Sequence, residues 1–408
     1  MRILFIHEGL GQFEKLHLHL NATGQAHSTF MCSTGVFNAQ KDKIPNLVPF
    51  DTPGENDKTY FYVKNIEART QRSFFIKKSL NELLARSAVD VIVAHGSGGF
   101  PLQLFDEFDI PIISYIEFPS FTAHGHDPKY PQPDYATYRD KLFEMTSFHQ
   151  ALKSELVIVP SAYAKTMFPS CLHDKIVPQM EGFDITRKPS EFKKKDGLFH
   201  IGFTARDLSS AKGFEQFLVI AKEILKIRQD VRFVFCGSPK VLYSYEEAFL
   251  QAKFGNEGRP ENFMQYLLQR EGITLGEDSP FEHVSFTAYD EFADYIEAMD
   301  LFLYPLQFGS ANWGLFELAF RGRAIIGSNR CFVPEIITHG RNGLLCPYED
   351  VAQWARMTTD LMDDRPRLEL LGRNAQADAN ERFHISKVAP RYLDIFQTAI
   401  SRKRLPLY

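Results

Sequence analysis

Short apolar runs alternate with longer amphipathic stretches along almost all of the 408 residues of the chain. This alternation is typical of parallel strands that are each covered by a helix, because a strand buried on both faces is apolar throughout. The first half contains five such runs: Ile3–His7, Ser28–Cys32, Val89–Ala94, Ile110–Tyr115 and Leu156–Val159. The second half contains six: Phe199–Phe203, Val231–Cys236, Val284–Thr287, Leu301–Tyr304, Ala324–Gly327 and Gly343–Cys346. The pattern predicts two successive doubly wound α/β units.

The division between the units is expected in Gly182–Gly197, a polar and charged segment that contains Pro189. We predict an N-terminal Rossmann-like domain over 1–183 and a C-terminal Rossmann-like domain over 184–378. Residues 379–408 are predicted to form a helix that packs back toward the first domain. The polar stretch from Gly237 to His283 is expected to be a helical, exposed insert.

Composition excludes several classes of protein. A formal net charge of −5 gives no reason to expect a general nucleic-acid binder. The five cysteines are scattered without a Cys-x-x-Cys pair, so neither a disulfide framework nor a zinc knuckle is expected. The start "MRILFIHEGLG" lacks the apolar core of a signal peptide. We expect a cytoplasmic protein, with peripheral contact at the inner face of the membrane left open.

Two cations in the second half point to an anion site. Arg206 follows a predicted strand, and Lys212 and Gly213 open an amphipathic helix. A lysine at a helix N-terminus opposes the helix dipole, and a bound diphosphate would offset that cost. The alternative is that both are solvated surface charges, but the lysine at the helix start favours a diphosphate site.

A second candidate segment follows the strand that ends near Pro305. It is a loop of small or polar residues, Gly309, Ser310, Ala311 and Asn312, and it leads into a helix with Trp313 and Glu317. Free N–H groups at a helix start suit a phosphate or a sugar. Apolar neighbours suggest that Glu317 is a partly buried carboxylate that needs partners, such as a ribose diol. The alternative is an ordinary exposed helix residue.

Candidate residues of the first half also follow predicted strands, where ligands bind in open α/β sheets. Gly9 and Gly11 form a turn after the first strand, His95 ends the run "VDVIVAHGSGG", and Glu117 ends another strand. The glycines do not complete G-x-G-x-x-G, so a dinucleotide is not indicated. A plain tight turn and a loop-capping histidine are the alternatives.

Two further segments are ambiguous. The loop "FTAHGHDPKY" brings His124, His126 and Asp127 close to Glu117, but two histidines without a third distant ligand are weak support for a metal. We expect an acceptor-binding or simple surface loop there and no metal. Ala68–Leu80 mixes four cations with aromatic residues and permits a basic helix on anionic lipid, although a solvated helix face is favoured.

With these residues considered together, the chain resembles a glycosyltransferase of the GT-B architecture and is similar to the retaining family 4 enzymes. The resemblance rests on "MRILFIHEGLGQF", "ARDLSSAKGF", "NWGLFELAFRGRAIIGS", "VPEII" and "GRNGLL" in this order. The donor motif of that family has two glutamates eight positions apart. The first, which touches the sugar hydroxyls, falls on Gly309 here, and the second on Glu317.

The resemblance implies two Rossmann-like domains that face a central cleft, with the acceptor side in the first domain and the donor nucleotide bound by the second. It also implies that the donor is a UDP- or GDP-sugar. Arg206 and Lys212 would then neutralise the departing diphosphate, which makes a metal or other cofactor unnecessary. The residues implied to bind the donor are Gly9, Gly11, Gly309, Ser310, Ala311, Asn312, Trp313, Glu317 and Tyr289, where the backbone of Phe286–Tyr289 would meet the base.

The remaining implied roles concern the transfer itself. His95 would complete the catalytic group, and Glu117 would lie on the acceptor side. Transfer would retain the anomeric configuration, with the leaving phosphate deprotonating the acceptor, which could be a glycan, a lipid-linked sugar or a small-molecule hydroxyl. The alternatives on the same fold are a sugar-nucleotide 2-epimerase and a catalytically silent sugar-nucleotide-binding partner.

Overall fold

The computed structural model describes residues 1–52, 54, 58–120, 125–186, 197–242, 245–276, 278–286 and 288–403. The chain divides into two compact units. The first unit comprises 1–121, 134–184 and 382–408, and the second comprises 122–133 and 185–381. A short segment between the fifth strand and the next helix thus belongs to the second unit. Most of the expected linker, 187–196, lies outside the described residues.

The first unit is built on a seven-stranded parallel sheet with the order β3-β2-β1-β4-β5-β6-β7. The strands are β1 (Arg2–Ile6), β2 (His27–Ser33), β3 (Leu47–Phe50), β4 (Val91–His95), β5 (Ile112–Tyr115), β6 (Leu156–Val159) and β7 (Ile176–Pro178). Sequence analysis missed β3 and β7. Both are edge strands of three or four residues that contain a proline, which an edge tolerates because one side of the strand needs no ladder hydrogen bonds.

Helices connect these strands across the faces of the sheet. They are α1 (Glu14–Thr23), α2 (Thr34–Gln40), α3 (Lys64–Leu84), α4 (Leu104–Glu107), α5 (Asp134–Lys153) and α6 (Ala162–Thr166). The order of the strands reverses at β1, with β2 on one side and β4 on the other. The gap between the carboxyl ends of β1 and β4 is therefore the topological switch point, the place where open α/β sheets bind ligands.

The second unit contains a six-stranded parallel sheet with the order β10-β9-β8-β11-β12-β13. The strands are β8 (Phe199–Asp207), β9 (Val231–Ser238), β10 (Phe281–Val284), β11 (Leu301–Tyr304), β12 (Ala324–Ser328) and β13 (Leu344–Cys346). Its switch point lies between β8 and β11, which pair in parallel. The predicted α/β class with two Rossmann-like sheets is confirmed.

The helices of this unit begin after each of these strands. They are α7 (Phe214–Leu225), α8 (Glu246–Phe254), α9 (Phe263–Glu271), α10 (Tyr289–Ala298), α11 (Trp313–Phe320), α12 (Val333–Ile336), α13 (Val351–Asp363) and α14 (Arg365–Phe383). α15 (Ile385–Lys403) follows directly, and its apolar face, including Val388 and Phe396, is buried in the core of the first unit.

Two details of the second half differ from expectation. The strand expected at Val284–Thr287 lies earlier, as β10, because Phe281 faces inward and stacks on Phe233 with ring centroids 5.4 Å apart. The insert before it contains the expected helices, but it is exposed only in part. Phe263 in α9 and Glu246 in α8 are fully buried, so these helices belong to the core of the unit.

The cations of α3 do not form one exposed face. Arg69 is buried and donates a hydrogen bond to Thr146 Oγ1 at 2.8 Å, while Arg72 forms an ion pair with Glu8 at 2.7 Å. Lys77 pairs with Glu107 on the outer side of the helix. Within the described residues, none of the helices is both long enough and apolar enough to cross a membrane.

Candidate functional site

The turn that carries the two predicted cations follows β8. The register of β8 is irregular between Thr204 and Asp207, and the Arg206 side chain is 56% exposed, with Nε 3.9 Å from Asp207 Oδ2. Ser210 fixes the turn that follows, because its N–H and its hydroxyl both donate to Glu246 Oε1, at 2.9 and 2.6 Å. The turn therefore has a set shape before α7 begins.

Gly213 brings this turn against the end of β11. It adopts a φ of 87°, and a Cβ placed on it would lie 1.7 Å from the carbonyl oxygen of Pro305. Both Gln307 and Phe308 donate their N–H groups to the carbonyl of Ala211, at 3.1 and 3.0 Å. The turn with Lys212 and the loop before α11, which were predicted separately, are thus parts of one structure at the switch point of the second sheet.

The loop from β11 to α11 contains the small residues singled out in the sequence. Asn312 caps α11, since its side-chain oxygen accepts from the N–H of Gly314 at 3.0 Å. Ser310 is buried, Ala311 is partly exposed and the Trp313 ring is largely exposed. Gly309 has ordinary space around it. The side-chain atoms within 4 Å of a Cβ placed there are the two Leu306 methyl carbons, at 3.5 Å or more.

Glu317 is a partly buried carboxylate with partners, with 14% of its side chain exposed. Its Oε1 accepts from the hydroxyl of Tyr289 at 2.7 Å, and its Oε2 accepts from Arg321 Nε at 3.2 Å. Burial, followed by the hydrogen bond to Glu317, raises the pKa of Tyr289 to about 12. Two predicted donor-binding residues are therefore in direct contact, with a neutral phenol facing the carboxylate.

Arg321 is a site residue that sequence analysis missed. Its side chain is only 2% exposed and is placed between Glu317 and Glu297, whose Oε1 is 3.6 Å from Arg321 Nη1. Arg321 also donates to the Tyr289 hydroxyl at 3.2 Å. The i, i+4 spacing of Glu317 and Arg321 was the available signal, because side chains at that spacing meet on a helix. A buried arginine at this position holds the carboxylate in one orientation.

The loop considered for a metal is part of the second unit. Tyr130 is buried in its core and donates to Glu215 Oε2 at 2.8 Å, in the first turn of α7. Asp127 is also buried and accepts from the N–H of Lys129 at 3.0 Å. His124 lies outside the described residues, as does Thr287 in the segment expected to meet the base. In the parts of the chain that the structure describes, no three His, Cys, Asp or Glu side chains form a metal-binding group.

His95 ends β4 at the switch point of the first sheet. Its Nδ1 accepts from the N–H groups of Ser97 and Gly98, both at 3.2 Å, so the proton of the neutral ring is on Nε2. Only 7% of the residue is exposed, and Nε2 has no hydrogen-bond partner among the described residues. Burial holds the pKa of His95 well below its ordinary value. The ring is thus a neutral donor whose buried N–H lacks an acceptor in the described part of the chain.

The other candidates of the first unit lie at the same sheet edge. Gly11 has a φ of 46°, and the N–H of Gly9 donates to His7 Nδ1 at 2.8 Å. Glu117 accepts a hydrogen bond from the Gln12 side chain. Sequence analysis treated His7 only as the end of a strand, although a histidine directly before a glycine turn was a usable signal.

Comparison with known proteins identifies these units. Residues 25–187 match the family model described as "Glycosyl transferase family 4 group", and residues 199–364 match "Glycosyl transferases group 1". The chain is similar to Anabaena HepE, solved in complex with UDP-glucose, with a TM-score of 0.64 and 16% identity, over 98% of this chain and 100% of that chain.

Curated relatives match over a shorter length. Spore coat protein SA of Bacillus subtilis (strain 168) is 26% identical over 195 residues, 47% of this chain and 46% of the relative. The 2-deoxystreptamine N-acetyl-D-glucosaminyltransferase of Niallia circulans is 22% identical over 213 residues, 52% of this chain and 48% of the relative. The matched region thus spans about half the length of these relatives.

The two parallel sheets and their structural match define the GT-B fold. Since the two consecutive family models together cover most of both units, the chain belongs to the glycosyltransferases. The predicted family resemblance is confirmed at this level.

Proposed function

We propose that this protein is a retaining glycosyltransferase that moves a sugar from a UDP- or GDP-sugar to a hydroxyl group, without a metal. The observation that carries the proposal is the turn with Arg206 and Lys212. It is held by Glu246 through Ser210 and lies against the end of β11 at the switch point of the second sheet. Two cations at a fixed turn beside a helix N-terminus suit a diphosphate.

The cations act on the leaving group. As the bond between the anomeric carbon and the phosphate oxygen breaks, negative charge grows on the diphosphate. Arg206 and Lys212, already placed by the turn, stabilise that charge without reorganising. The acceptor oxygen forms its bond to the anomeric carbon on the same face, and its proton passes to the leaving phosphate oxygen. No side-chain nucleophile is required in this scheme.

Glu317 is suited to a ribose. Each carboxylate oxygen of Glu317 has two lone pairs. The Tyr289 hydroxyl donates to one lone pair of Oε1, and Arg321 Nε donates to one lone pair of Oε2. One acceptor position per oxygen remains, which matches the two hydroxyls of a ribose diol. Because Arg321 fixes the carboxylate, little rotamer entropy is lost when the diol binds.

His95 is proposed to donate its Nε2–H to an oxygen of the donor sugar. A buried N–H without an acceptor is costly, and a sugar hydroxyl would offset that cost. The glycine turn at Gly9 and Gly11 is proposed to let backbone approach the donor closely. Glu117 stays a prediction for the acceptor side, as do a glycan or lipid-linked acceptor, a cytoplasmic location and peripheral membrane contact.

Only the relatives limit the choice of nucleotide base and sugar in the proposed donor. HepE is described with UDP-glucose, and the Niallia relative is an N-acetylglucosaminyltransferase by name. The HepE complex favours a uridine nucleotide over a guanosine nucleotide. Gly309, where the family has its first donor glutamate, leaves the sugar open.

The test is calorimetric binding of UDP, GDP and ADP in the presence of EDTA. It compares wild type with the Arg206→Ala/Lys212→Ala double variant. Lys226→Ala is the matched control, since this exposed lysine ends the same helix and pairs only locally with Glu223. Two charge-assisted contacts of about 1.5 kcal/mol or more each predict at least about 100-fold weaker binding in the double variant.

The same proteins are then tested for sugar transfer from the nucleotide that binds. Wild type and control are expected to bind one nucleotide alike, with UDP favoured. Binding of no nucleotide by wild type, or equal binding by the double variant, would contradict the proposal. Binding without any turnover of the sugar nucleotides of that base would instead support a silent binding partner.

A further inference from the structure

His7 lies between the two turns of the first switch point. It follows β1 directly, and β1 pairs with β4, the strand that ends in His95. The turn after β1 contains Gly9 and Gly11, and the turn after β4 contains Gly98. The proposed reaction assigns no role to His7, although its ring centroid lies 4.4 Å from that of His95, with an interplanar angle of 67°.

Glycines from both turns make room for the His7 ring. A Cβ on Gly11 would lie 3.0 Å from His7 Nε2, and a Cβ on Gly98 would lie 3.1 Å from the same atom. A Cβ on Gly9 would be 3.4 Å from Nδ1. Contacts of 3.0–3.1 Å are closer than carbon tolerates without movement of the ring. The imidazole therefore fills a space whose walls are glycine on both sides, and it sets the separation of the two turns.

Hydrogen bonds link His7 to His95 through Gly98. The N–H of Gly9 donates to His7 Nδ1 at 2.8 Å, which places the proton of the neutral His7 ring on Nε2. The Gly98 carbonyl accepts from the N–H of Glu8 at 2.7 Å, and the Gly98 N–H donates to His95 Nδ1 at 3.2 Å. A shift of the His7 ring would thus move Gly98 and, with it, the imidazole of His95.

We propose that His7 is a positioning residue. Its ring holds the turns after β1 and β4 at a fixed distance and thereby directs the Nε2–H of His95 toward the donor sugar. The catalytic significance rests on the proposed function, but the positioning itself does not. His7 need not touch the substrate for this role.

Burial and a neighbouring cation keep His7 neutral. Burial, together with repulsion from the Arg72 guanidinium of α3, lowers the pKa of His7 to about 4. Arg72 itself pairs with Glu8 and donates to the Ser97 carbonyl, so it braces the same two turns. Protonation of Nδ1 would remove the acceptor of the Gly9 N–H. The neutral ring is therefore the form that supports the geometry.

The experiment records imidazole ¹H–¹⁵N correlation spectra of ¹⁵N-histidine-labelled full-length protein at pH 7. His7→Phe keeps a ring but has no acceptor for Gly9, whereas His7→Asn keeps an acceptor oxygen close to the position of Nδ1. His17→Asn is the matched control, since His17 is a buried histidine of the same unit that bonds to the Pro45 carbonyl and to Ser28. The His95 signals are the readout.

We expect the Nε2–H signal of His95 to shift or to split between tautomers in His7→Phe and to keep its position in His17→Asn. His7→Asn, which keeps the acceptor for Gly9 but not the ring, should shift it less than His7→Phe. Gly98→Ala, which pushes on the His7 ring from the other turn, should move the signal like His7→Phe. It therefore keeps the proposal testable if His7→Phe does not fold. Unchanged His95 signals in the folded His7→Phe or Gly98→Ala protein would overturn the proposal.

Kinetics then separate this inference from the proposed function. With the sugar nucleotide that binds, His7→Phe should lower kcat by about tenfold or more while the donor KM changes less than about threefold, because a misdirected donor group costs turnover. His7→Asn, which restores only the acceptor for Gly9, should recover part of the loss. Nucleotide binding with normal turnover in His7→Phe would refute the inference and leave the proposed function intact. Absence of nucleotide binding in wild type would refute the proposed function, while the His95 spectra would still test the positioning.

Discussion

Replacement of Gly213 by alanine tests the contact on which the proposed donor site of the second unit depends. Two costs are expected. The first is the left-handed backbone, since a φ of 87° costs an L-residue about 1–2 kcal/mol. The second is the clash, because the new methyl group would lie 1.7 Å from the Pro305 carbonyl oxygen and must displace the start of the loop before α11. Such overpacking costs about 1–3 kcal/mol.

Gly272→Ala separates the two costs. Gly272 ends α9 in the same unit with a φ of 66°, and a Cβ there would meet nothing within 4 Å. This control should therefore lose only about 1–2 kcal/mol. Gly213→Ala should lose about 2–5 kcal/mol in total. The difference between the variants isolates the approach of the turn to β11.

Urea unfolding followed by tryptophan fluorescence is the assay. The only two tryptophans, Trp313 and Trp354, both belong to the second unit, so the signal reports the unit that carries the mutation. The nucleotide that binds wild type should also bind at least about tenfold more weakly to Gly213→Ala, because Lys212 is displaced with the turn. Gly272→Ala should bind it normally. Stabilities of the two variants within about 0.5 kcal/mol of each other, with equal nucleotide binding, would refute the contact.

Two further predictions concern His7 and Gly309. Because the pKa of His7 falls from an ordinary 6.5 in the unfolded chain to about 4 in the fold, the unfolded state binds the proton first, and stability should be fully present above pH 6.5 and decrease as the pH falls toward 4. Linkage gives a loss of about 2 kcal/mol between pH 7 and pH 5. Urea unfolding followed by far-UV circular dichroism should show this loss in wild type and a smaller one in His7→Asn, and equal losses would contradict it. Gly309→Glu should change stability by less than about 0.5 kcal/mol, because its Cβ has ordinary space, while it changes which UDP-sugar gives the highest kcat/KM. An unchanged ranking of donors would show that position 309 does not face the sugar.

The buried inner strands could be predicted because their apolar runs are local features. β8 and β11 are apolar over most of their length, and both were found from the sequence. β10 was misplaced because its inward residue is Phe281, and only its stacking on Phe233 decides the register. β3 and β7 were missed because each is short and contains a proline. A pattern of single residues carries no information on which strand will be at an edge.

The residues of the candidate site also fall into two groups, those with a local signal in the sequence and those placed only by the tertiary fold. Arg206, Lys212 and Glu317 stand in local contexts, a strand end or a helix start, that single them out in the sequence. Their supports come from elsewhere in the chain: Glu246 reaches Ser210 from α8, and Tyr289 reaches Glu317 from α10. Such tertiary partners have no local signature. Sequence analysis therefore identified the groups proposed to act on a ligand better than the groups that hold them.

The two switch points use glycine in the same way but place different chemistry beside it. In the second unit, Gly213 brings a turn with two cations against the end of the neighbouring strand. In the first unit, Gly11 and Gly98 enclose a neutral imidazole that contacts another neutral imidazole. A diphosphate is bound by charge, whereas a sugar hydroxyl is bound by directed neutral donors. Substitutions in the cationic turn of the second unit should therefore weaken nucleotide binding and reduce the dependence of binding on charge. Substitutions around His7 should instead slow turnover and leave nucleotide affinity nearly unchanged. A His7 variant that lost nucleotide affinity as strongly as Lys212→Ala would contradict this division.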